Sequence, residues 1–123
     1  MTQDRLHVGK LGEDLALKKL KKLGYRCIAR NYRCPLGEMD LIARDGETLV
    51  FVEIKTRRDK SLGYAKEAVD KRKKRQLSKV ALAYMKAEDC CDVKSRFDVV
   101  AINFEGDREQ IEVIKNAFDL AYE

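Results

Sequence analysis

The segment that most constrains the fold is residues 49–56, which reads Leu-Val-Phe-Val-Glu-Ile-Lys-Thr. Its β-branched and aromatic residues are adjacent, so a strand built from them would present apolar side chains on both faces. Such a strand is stable inside a sheet that is covered on both sides, which in a short chain means helices on each face. The 123 residues, 45% of them hydrophobic, suit a single domain of this kind spanning 1–123.

The remaining hydrophobic pattern predicts the elements around this strand. Apolar residues recur at helical spacing in two segments, 4–23 and 65–87, which predicts two amphipathic helices. Alternating apolar residues predict five strands, at about 25–33, 38–44, 47–56, 96–104 and 109–114. A short final helix is predicted after the last strand. The predicted fold is therefore α/β (α+β, with a mixed sheet), in the order α-β-β-β-α-β-β.

The dipeptide Asp45-Gly46 predicts a two-residue hairpin turn between the second and third strands. We expect Arg44 to face Glu47, which fixes the pairing of the two strands. The other pairs on that side are then Ile42 with Leu49, Asp40 with Phe51 and Glu38 with Glu53. This register places Asp40 diagonal to Glu53, at about 7–8 Å between backbone positions.

Glu53 and Lys55 are charged residues at the end of the most apolar strand, where burial requires partners. Asp40 and Glu53, with a backbone carbonyl such as that of Ile54, can hold Mg²⁺ or Mn²⁺, which prefer oxygen ligands. Lys55 would then orient or activate an attacking water. Glu38 is a further candidate ligand, because two facing carboxylates need a cation between them. The alternatives are a turn-capping role for Asp40 and an ordinary surface ion pair for Glu53 and Lys55.

The net charge of +5 hides an uneven distribution. Residues 57–79 hold ten basic and three acidic side chains, a net +7, whereas residues 89–123 hold four basic and nine acidic ones, a net −5. A basic segment of this kind attracts nucleic-acid phosphates, although a solvated helix face is the alternative. The predicted nucleic-acid-binding residues are Arg57, Arg58, Lys60, Lys71, Arg72, Lys73, Lys74 and Arg75.

The chain contains neither an apolar run of membrane-spanning length nor the apolar block of a signal peptide, so we expect a cytoplasmic protein with no membrane partner. The four cysteines do not have metal-binding spacing and are expected to be reduced thiols. Asp98 is expected to be a structural acid that accepts hydrogen bonds from sheet or loop amides.

Four motifs carry a resemblance to a known family. Gly12-Glu13 lies in the first helix, Gly37-Glu38-Met39-Asp40-Leu41-Ile42 precedes Phe51-Val52-Glu53-Ile54-Lys55, and Arg96-Phe97-Asp98-Val99-Val100 follows. The chain resembles the YraN family of uncharacterised bacterial proteins over nearly its whole length. The resemblance implies the restriction-endonuclease-like PD-(D/E)xK fold, similar to archaeal Holliday junction resolvases.

The resemblance also implies roles for individual residues. In that superfamily the strand aspartate, the glutamate of E-x-K and a helix-one glutamate bind Mg²⁺, and the lysine serves the nucleophile. The corresponding residues here are Asp40, Glu53, Glu13 and Lys55. Gln76 falls on the apolar stripe of the second helix, and would either reach a site carboxylate or phosphate, as a glutamine does in some related nucleases, or lie at the rim.

We therefore expect a Mg²⁺-dependent endonuclease that hydrolyses phosphodiester bonds in DNA, more than RNA, and acts on branched or structured forms. The alternative is a non-catalytic DNA- or RNA-binding module that retains the nuclease fold. An enzyme that cuts two strands would use a symmetric pair of sites, so a homodimer is also an expectation.

Overall fold

The computed structural model describes residues 2–57 and 69–119, with side chains from residue 9 onward. The described residues form two helices and five strands in the order α-β-β-β-α-β-β, which confirms the predicted mixed α/β class. The elements are α1 (Thr2–Lys22), β1 (Arg26–Cys34), β2 (Gly37–Asp45), β3 (Thr48–Arg57), α2 (Lys71–Ala87), β4 (Ser95–Glu105) and β5 (Arg108–Phe118). Neither helix has the length and apolar character needed to cross a membrane within the described residues.

The five strands form one sheet in the order β1-β2-β3-β4-β5. β3 and β4 are parallel and the other neighbouring pairs are antiparallel. A parallel pair requires a crossover connection, and the chain between β3 and β4 contains α2. The carboxyl ends of β3 and β4 therefore lie at the same edge of the sheet.

Each face of the sheet is covered by one helix, as residues 49–56 require. Leu77 and Val80 of α2 pack against Phe51 in a cluster that we call the α2 core. Ala16 and Leu20 of α1 pack against Val52 in the α1 core on the opposite face. β3 thus contributes alternate side chains to two cores, and it is the central strand of the sheet.

Two predicted element ends are wrong. Helix α2 begins at Lys71 and not at residue 65: Asp70 has an extended backbone, and its Oδ1 accepts the N–H of Lys73 at 2.8 Å, which is the geometry of an N-cap. Residues 65–68 lie outside the described part of the chain. The last strand continues through Phe118, so residues 115–118 form no helix; the Phe118 ring stacks on Phe97 with centroids 4.5 Å apart, and this contact keeps the strand on the sheet.

The predicted register of the β2–β3 hairpin is also wrong, by two positions. Asp45 pairs with Thr48, so the loop is Gly46-Glu47, and Gly46 has the left-handed φ of 61° that suits a glycine. Ile42 consequently faces Phe51. Because the shift is an even number of residues, the side chains of the paired segments 41–45 and 48–52 keep their predicted faces.

Candidate functional site

Asp40 lies at an irregularity that β2 shares with β1. Met39 packs in the α2 core and Leu41 in the α1 core, although residues two apart on a strand normally share a face. Across from Asp40 on β1, Asn31 has a left-handed φ of 51°. Each strand thus carries one extra residue at this point, and the alternation of side chains changes face there.

The carboxylate of Asp40 is held against β3. Its Oδ2 accepts a hydrogen bond of 2.8 Å from the backbone N–H of Ile54. The regular pairing of β2 with β3 ends at Leu41 and Val52, one residue short of the two acids. Asp40 contacts the amide of the residue after Glu53 and acts on the charge of Glu53, so the structure brings the two acids together, although not in the predicted register.

Glu53 is a buried acid with an unsatisfied oxygen. The residue is 5% exposed, and no donor among the described residues forms a hydrogen bond with its Oε2. The Nζ of Lys73 lies 3.7 Å from Oε2. Burial is the main cause that raises the pKa of Glu53, and the neighbouring Asp40 adds to it; with the charges of Lys73 and Lys55 opposing the shift, the pKa is about 8.

Lys55 completes the E-x-K motif on the same strand. It is two residues beyond Glu53 and therefore lies on the same face of the sheet, towards α2. It is half-buried, and its charge stabilises the ionised form of Glu53. Three of the predicted catalytic residues thus share one region at the carboxyl end of β3.

The other two predicted ligands, Glu13 and Glu38, line a cavity of about 590 Å³ between α1 and the β1–β2 hairpin. Glu13 Oε2 lies 3.6 Å from Arg30 Nη2, and Glu38 Oε2 lies 3.6 Å from Arg33 Nε. The predicted opposition of Glu38 and Glu53 is wrong, because the observed register excludes it. Among the described residues, no three histidine, cysteine, aspartate or glutamate side chains converge in a group that could hold a metal ion.

Gln76 lies outside the apolar stripe where the sequence placed it. The residue is exposed, and a Cβ added to Gly37 would lie 2.9 Å from its Nε2, so its side chain covers the start of β2. Buried positions on α2 are taken by Leu77 and Val80 instead. Gln76 therefore occupies the rim of the helix–sheet interface.

The basic run on α2 divides into two groups. Lys71, Arg72 and Arg75 are exposed, whereas Lys73 reaches Glu53 and Lys74 lies over the Phe118 ring, with Nζ 5.6 Å from its centroid. The first turn of α2 contains no acidic residue to offset these cations. Cations are unfavourable at the positive, N-terminal end of a helix dipole. Among the other predicted contacts, Arg57 is half-buried at the end of β3, and Arg58 and Lys60 lie outside the described residues.

A second buried carboxylate, Asp98, lies on β4 next to Val52 of β3. It accepts hydrogen bonds from the Tyr25 hydroxyl at 2.6 Å, from Arg96 Nε at 2.9 Å and from the Asn116 backbone N–H at 2.9 Å. Burial, and then the adjacent Asp98, raises the pKa of Tyr25. These contacts confirm the prediction that Asp98 is a structural acid.

Comparison with known proteins gives the family. Residues 12–102 match the model of a family described as uncharacterised protein family UPF0102. A protein of that name from Syntrophus aciditrophicus is 47% identical over 122 residues, which are 99% of this chain and 95% of the relative. The chain belongs to the UPF0102 family. Another UPF0102 protein, from Geobacter sulfurreducens, is 53% identical over 116 residues, covering 94% of this chain and 91% of the relative.

The part of the chain that matches the UPF0102 model contains the whole candidate site. Asp40, Glu53, Lys55 and Lys73 all fall between residues 12 and 102, whereas β5 lies beyond that range. A third UPF0102 protein, from Caldicellulosiruptor saccharolyticus, is 43% identical over 117 residues, covering 94% of this chain and 99% of the relative.

Sequence reasoning missed two contacts in this UPF0102 chain. Lys73 was expected to contact phosphate only, and its ion pair with Glu53 was not anticipated. Recognising Asp70 as the N-cap of α2 places Lys73 in the first turn of the helix, and from there its side chain reaches Glu53. The pairing of Arg30 with Glu13 has no comparable sequence feature, since it depends on how α1 crosses β1.

Proposed function

We propose that this protein is a Mg²⁺- or Mn²⁺-dependent nuclease of the restriction-endonuclease-like PD-(D/E)xK class that hydrolyses phosphodiester bonds in DNA. One observation carries the proposal: Glu53 is buried beside Asp40 with an oxygen that has no hydrogen-bond donor among the described residues. A buried polar atom without a partner requires an explanation, and at a carboxylate pair a bound cation supplies one.

The side chains at this position fit a hard divalent cation. Asp40 and Glu53 offer carboxylate oxygens, and the backbone carbonyl of Ile54, the residue after Glu53, is a further oxygen ligand in the proposal. Mg²⁺ binds through one or two carboxylates and retains several waters, so a pair of acids suffices without a third. Burial, and then the neighbouring Asp40, raise the pKa of Glu53, and a bound cation would favour the ionised carboxylate against both.

In this mechanism, the bound cation would make a water more nucleophilic and stabilise charge on the phosphate. Asp40, fixed by the Ile54 N–H, and Glu53, fixed by burial, would hold their oxygens in place without reorganisation. Lys55, on the same face, would orient the attacking water beside the phosphate. The exposed cations of α2, Lys71, Arg72 and Arg75, would bind the DNA backbone next to the site.

The order of elements also supports the proposed class. The E-x-K residues end the central strand, the aspartate comes from the preceding antiparallel strand, and a crossover helix follows. Glu13 would join the cation only after Arg30 releases it, because the two side chains form an ion pair. Glu38 is likewise paired with Arg33 and is a secondary ligand in the proposal.

The experiment is cleavage of labelled branched and linear DNA, and of an RNA of matched sequence, in Mn²⁺ and in Mg²⁺. We expect wild-type cleavage, strongest for branched DNA, and a loss of roughly 100-fold or more in Glu53→Gln and Lys55→Met, because each removes a group that acts on the transition state. Glu112→Gln on β5 and Lys86→Met at the far end of α2 remove the same charges from exposed positions and should cleave like wild type.

Absence of cleavage by the wild type, or equal cleavage by Glu53→Gln and Glu112→Gln, would contradict the proposal. Salt-sensitive DNA binding that survives Asp40→Ala, without cleavage, would favour the second candidate, a non-catalytic nucleic-acid-binding module. That candidate is supported by the exposed α2 cations, which need no metal to bind phosphate. The oligomeric state in the presence of DNA tests the proposed homodimer.

A further inference from the structure

Lys73 differs from the other cations of the basic run because its side chain turns inward. Its Nζ lies 3.7 Å from Glu53 Oε2, the same oxygen that has no hydrogen-bond donor among the described residues. The distance is that of an ion pair and exceeds that of a hydrogen bond. Lys73 therefore neutralises part of the charge on Glu53 without satisfying the oxygen.

The backbone of Lys73 is fixed while its side chain is not enclosed. The Asp70 carboxylate caps its N–H at 2.8 Å, which sets the origin of the side chain in the first turn of α2. The side chain itself is 38% exposed, whereas that of Glu53 is 6% exposed. A long, flexible side chain anchored in this way can reach either the carboxylate or a ligand above it.

Helix stability does not explain this placement. A lysine in the first turn meets the positive end of the helix dipole and is unfavourable there. Of the two lysines that act on the charge of Glu53, Lys73 has the larger effect and Lys55 the smaller. The position of Lys73 is therefore explained by what it does at Glu53.

We propose that Lys73 takes the place of the divalent cation at Glu53 Oε2, and that it turns to the scissile phosphate when the metal binds. This inference rests on the proposed nuclease function. A divalent ion binding Oε2 and an ammonium group beside the same oxygen repel each other, so Lys73 must lower metal affinity. Once displaced, its ammonium group is a phosphate contact next to the metal.

The test measures two quantities that Lys73→Met should move in opposite directions. By isothermal titration calorimetry, we expect Lys73→Met to bind Mn²⁺ roughly tenfold more tightly than wild type, because the competing charge is gone. At saturating Mn²⁺, the same variant should cleave DNA roughly tenfold more slowly, because a contact to the scissile phosphate is lost. Replacing a lysine that only stabilises the fold would not raise the Mn²⁺ affinity.

Lys86→Met is the matched control, since Lys86 is an exposed lysine at the far end of the same helix. It should leave Mn²⁺ affinity unchanged. Lys73→Arg keeps the charge and should retain the wild-type affinity, and it gives an independent reading if Lys73→Met does not fold. The inference would be overturned if Lys73→Met bound Mn²⁺ no more tightly than wild type. It would also be overturned if Lys73→Arg bound Mn²⁺ as tightly as Lys73→Met.

The outcomes also separate this inference from the proposed function. If the wild type binds Mn²⁺ and cleaves DNA while Lys73→Met matches Lys86→Met, only the role of Lys73 is wrong. If the wild type binds no Mn²⁺, the nuclease proposal fails and the role of Lys73 fails with it.

Discussion

Glu53 and Asp98 are buried carboxylates on adjacent strands, and they face opposite sides of the sheet. Asp98 is completely buried and accepts hydrogen bonds from Tyr25, Arg96 and the Asn116 backbone. Glu53 is nearly as buried, yet its Oε2 has no donor among the described residues and a lysine ammonium group lies 3.7 Å from it. The two acids therefore experience similar burial and very different compensation.

This difference separates a structural acid from a candidate functional one. Hydrogen bonds from a tyrosine, an arginine and a backbone amide offset the cost of burying Asp98, so its charge contributes to the fold. Glu53 is left with an uncompensated oxygen, which costs stability and calls for a role outside the fold. The contrast makes three predictions. The first compares the two acids directly, the second concerns Glu53 alone, and the third concerns one donor to Asp98.

The largest expected effect is on global stability. Asp98→Ala should lower the free energy of unfolding by about 3–5 kcal/mol, because it leaves Arg96 and the Tyr25 hydroxyl without their buried acceptor. Glu53→Gln should change it by less than about 1 kcal/mol at neutral pH, because Glu53, with its raised pKa of about 8, is then mostly protonated and glutamine is a neutral side chain of similar size. Urea denaturation followed by circular dichroism measures both, and equal losses in the two variants would contradict the contrast.

The next effect is the pH dependence of stability. The pKa of Glu53 is about 8 in the folded protein and 4.5 in an ordinary environment, so the folded state holds an extra proton between these values. This contribution to stability is fully present below about pH 4.5 and is lost as the pH rises through 8. We expect a decline of roughly 2–4 kcal/mol between pH 5 and 9.

Glu53→Gln is the control for this pH dependence, since glutamine does not titrate. The difference in unfolding free energy between wild type and Glu53→Gln, followed over the same pH range, isolates the contribution of Glu53 from that of other groups. A difference that is constant with pH would show that the pKa of Glu53 is not raised.

The smallest effect tests one donor to Asp98. Tyr25→Phe should lower the free energy of unfolding by about 1–2 kcal/mol, because the buried Asp98 loses its shortest hydrogen bond. Tyr84→Phe is the matched control: Tyr84 is also buried, but its hydroxyl forms no hydrogen bond with the described residues. The control should unfold like wild type in urea. Equal destabilisation of both variants would refute the role of the Tyr25 hydroxyl.

The sequence predicted the elements well and their register less well. The apolar runs of β3 and the stripes of the helices are strong features, so the order of elements and the two covered faces followed from them. The hairpin register was wrong because Asp45-Gly46 was read as the loop, whereas Asp45 pairs with Thr48. Both Asp-Gly and Gly-Glu turns fit the sequence, and the packing of Ile42 opposite Phe51 decides between them.

The candidate site was predicted in part for the same reason. Asp40 and Glu53 came together despite the wrong register, because a shift of two residues preserves the faces of the paired residues up to Leu41 and Val52, and the Ile54 N–H holds Asp40 beside them. Glu13 and Glu38 instead line the cavity beside Arg30 and Arg33. The Glu13–Arg30 ion pair depends on how α1 crosses β1, which is a tertiary arrangement that residue spacing along the chain does not encode. Arg33 and Glu38 are instead direct partners in the β1–β2 ladder.

The paired irregularity at Asn31 and Asp40 has a consequence for how this chain can vary. With the extra residue in both strands, a single hairpin supplies Met39 to one core and Leu41 to the other. Deleting one residue from only one strand would turn the rest of that strand inside out relative to its partner. Insertions and deletions should therefore be tolerated here only in matched pairs, so the acid at position 40 and the break in alternation would be gained or lost together.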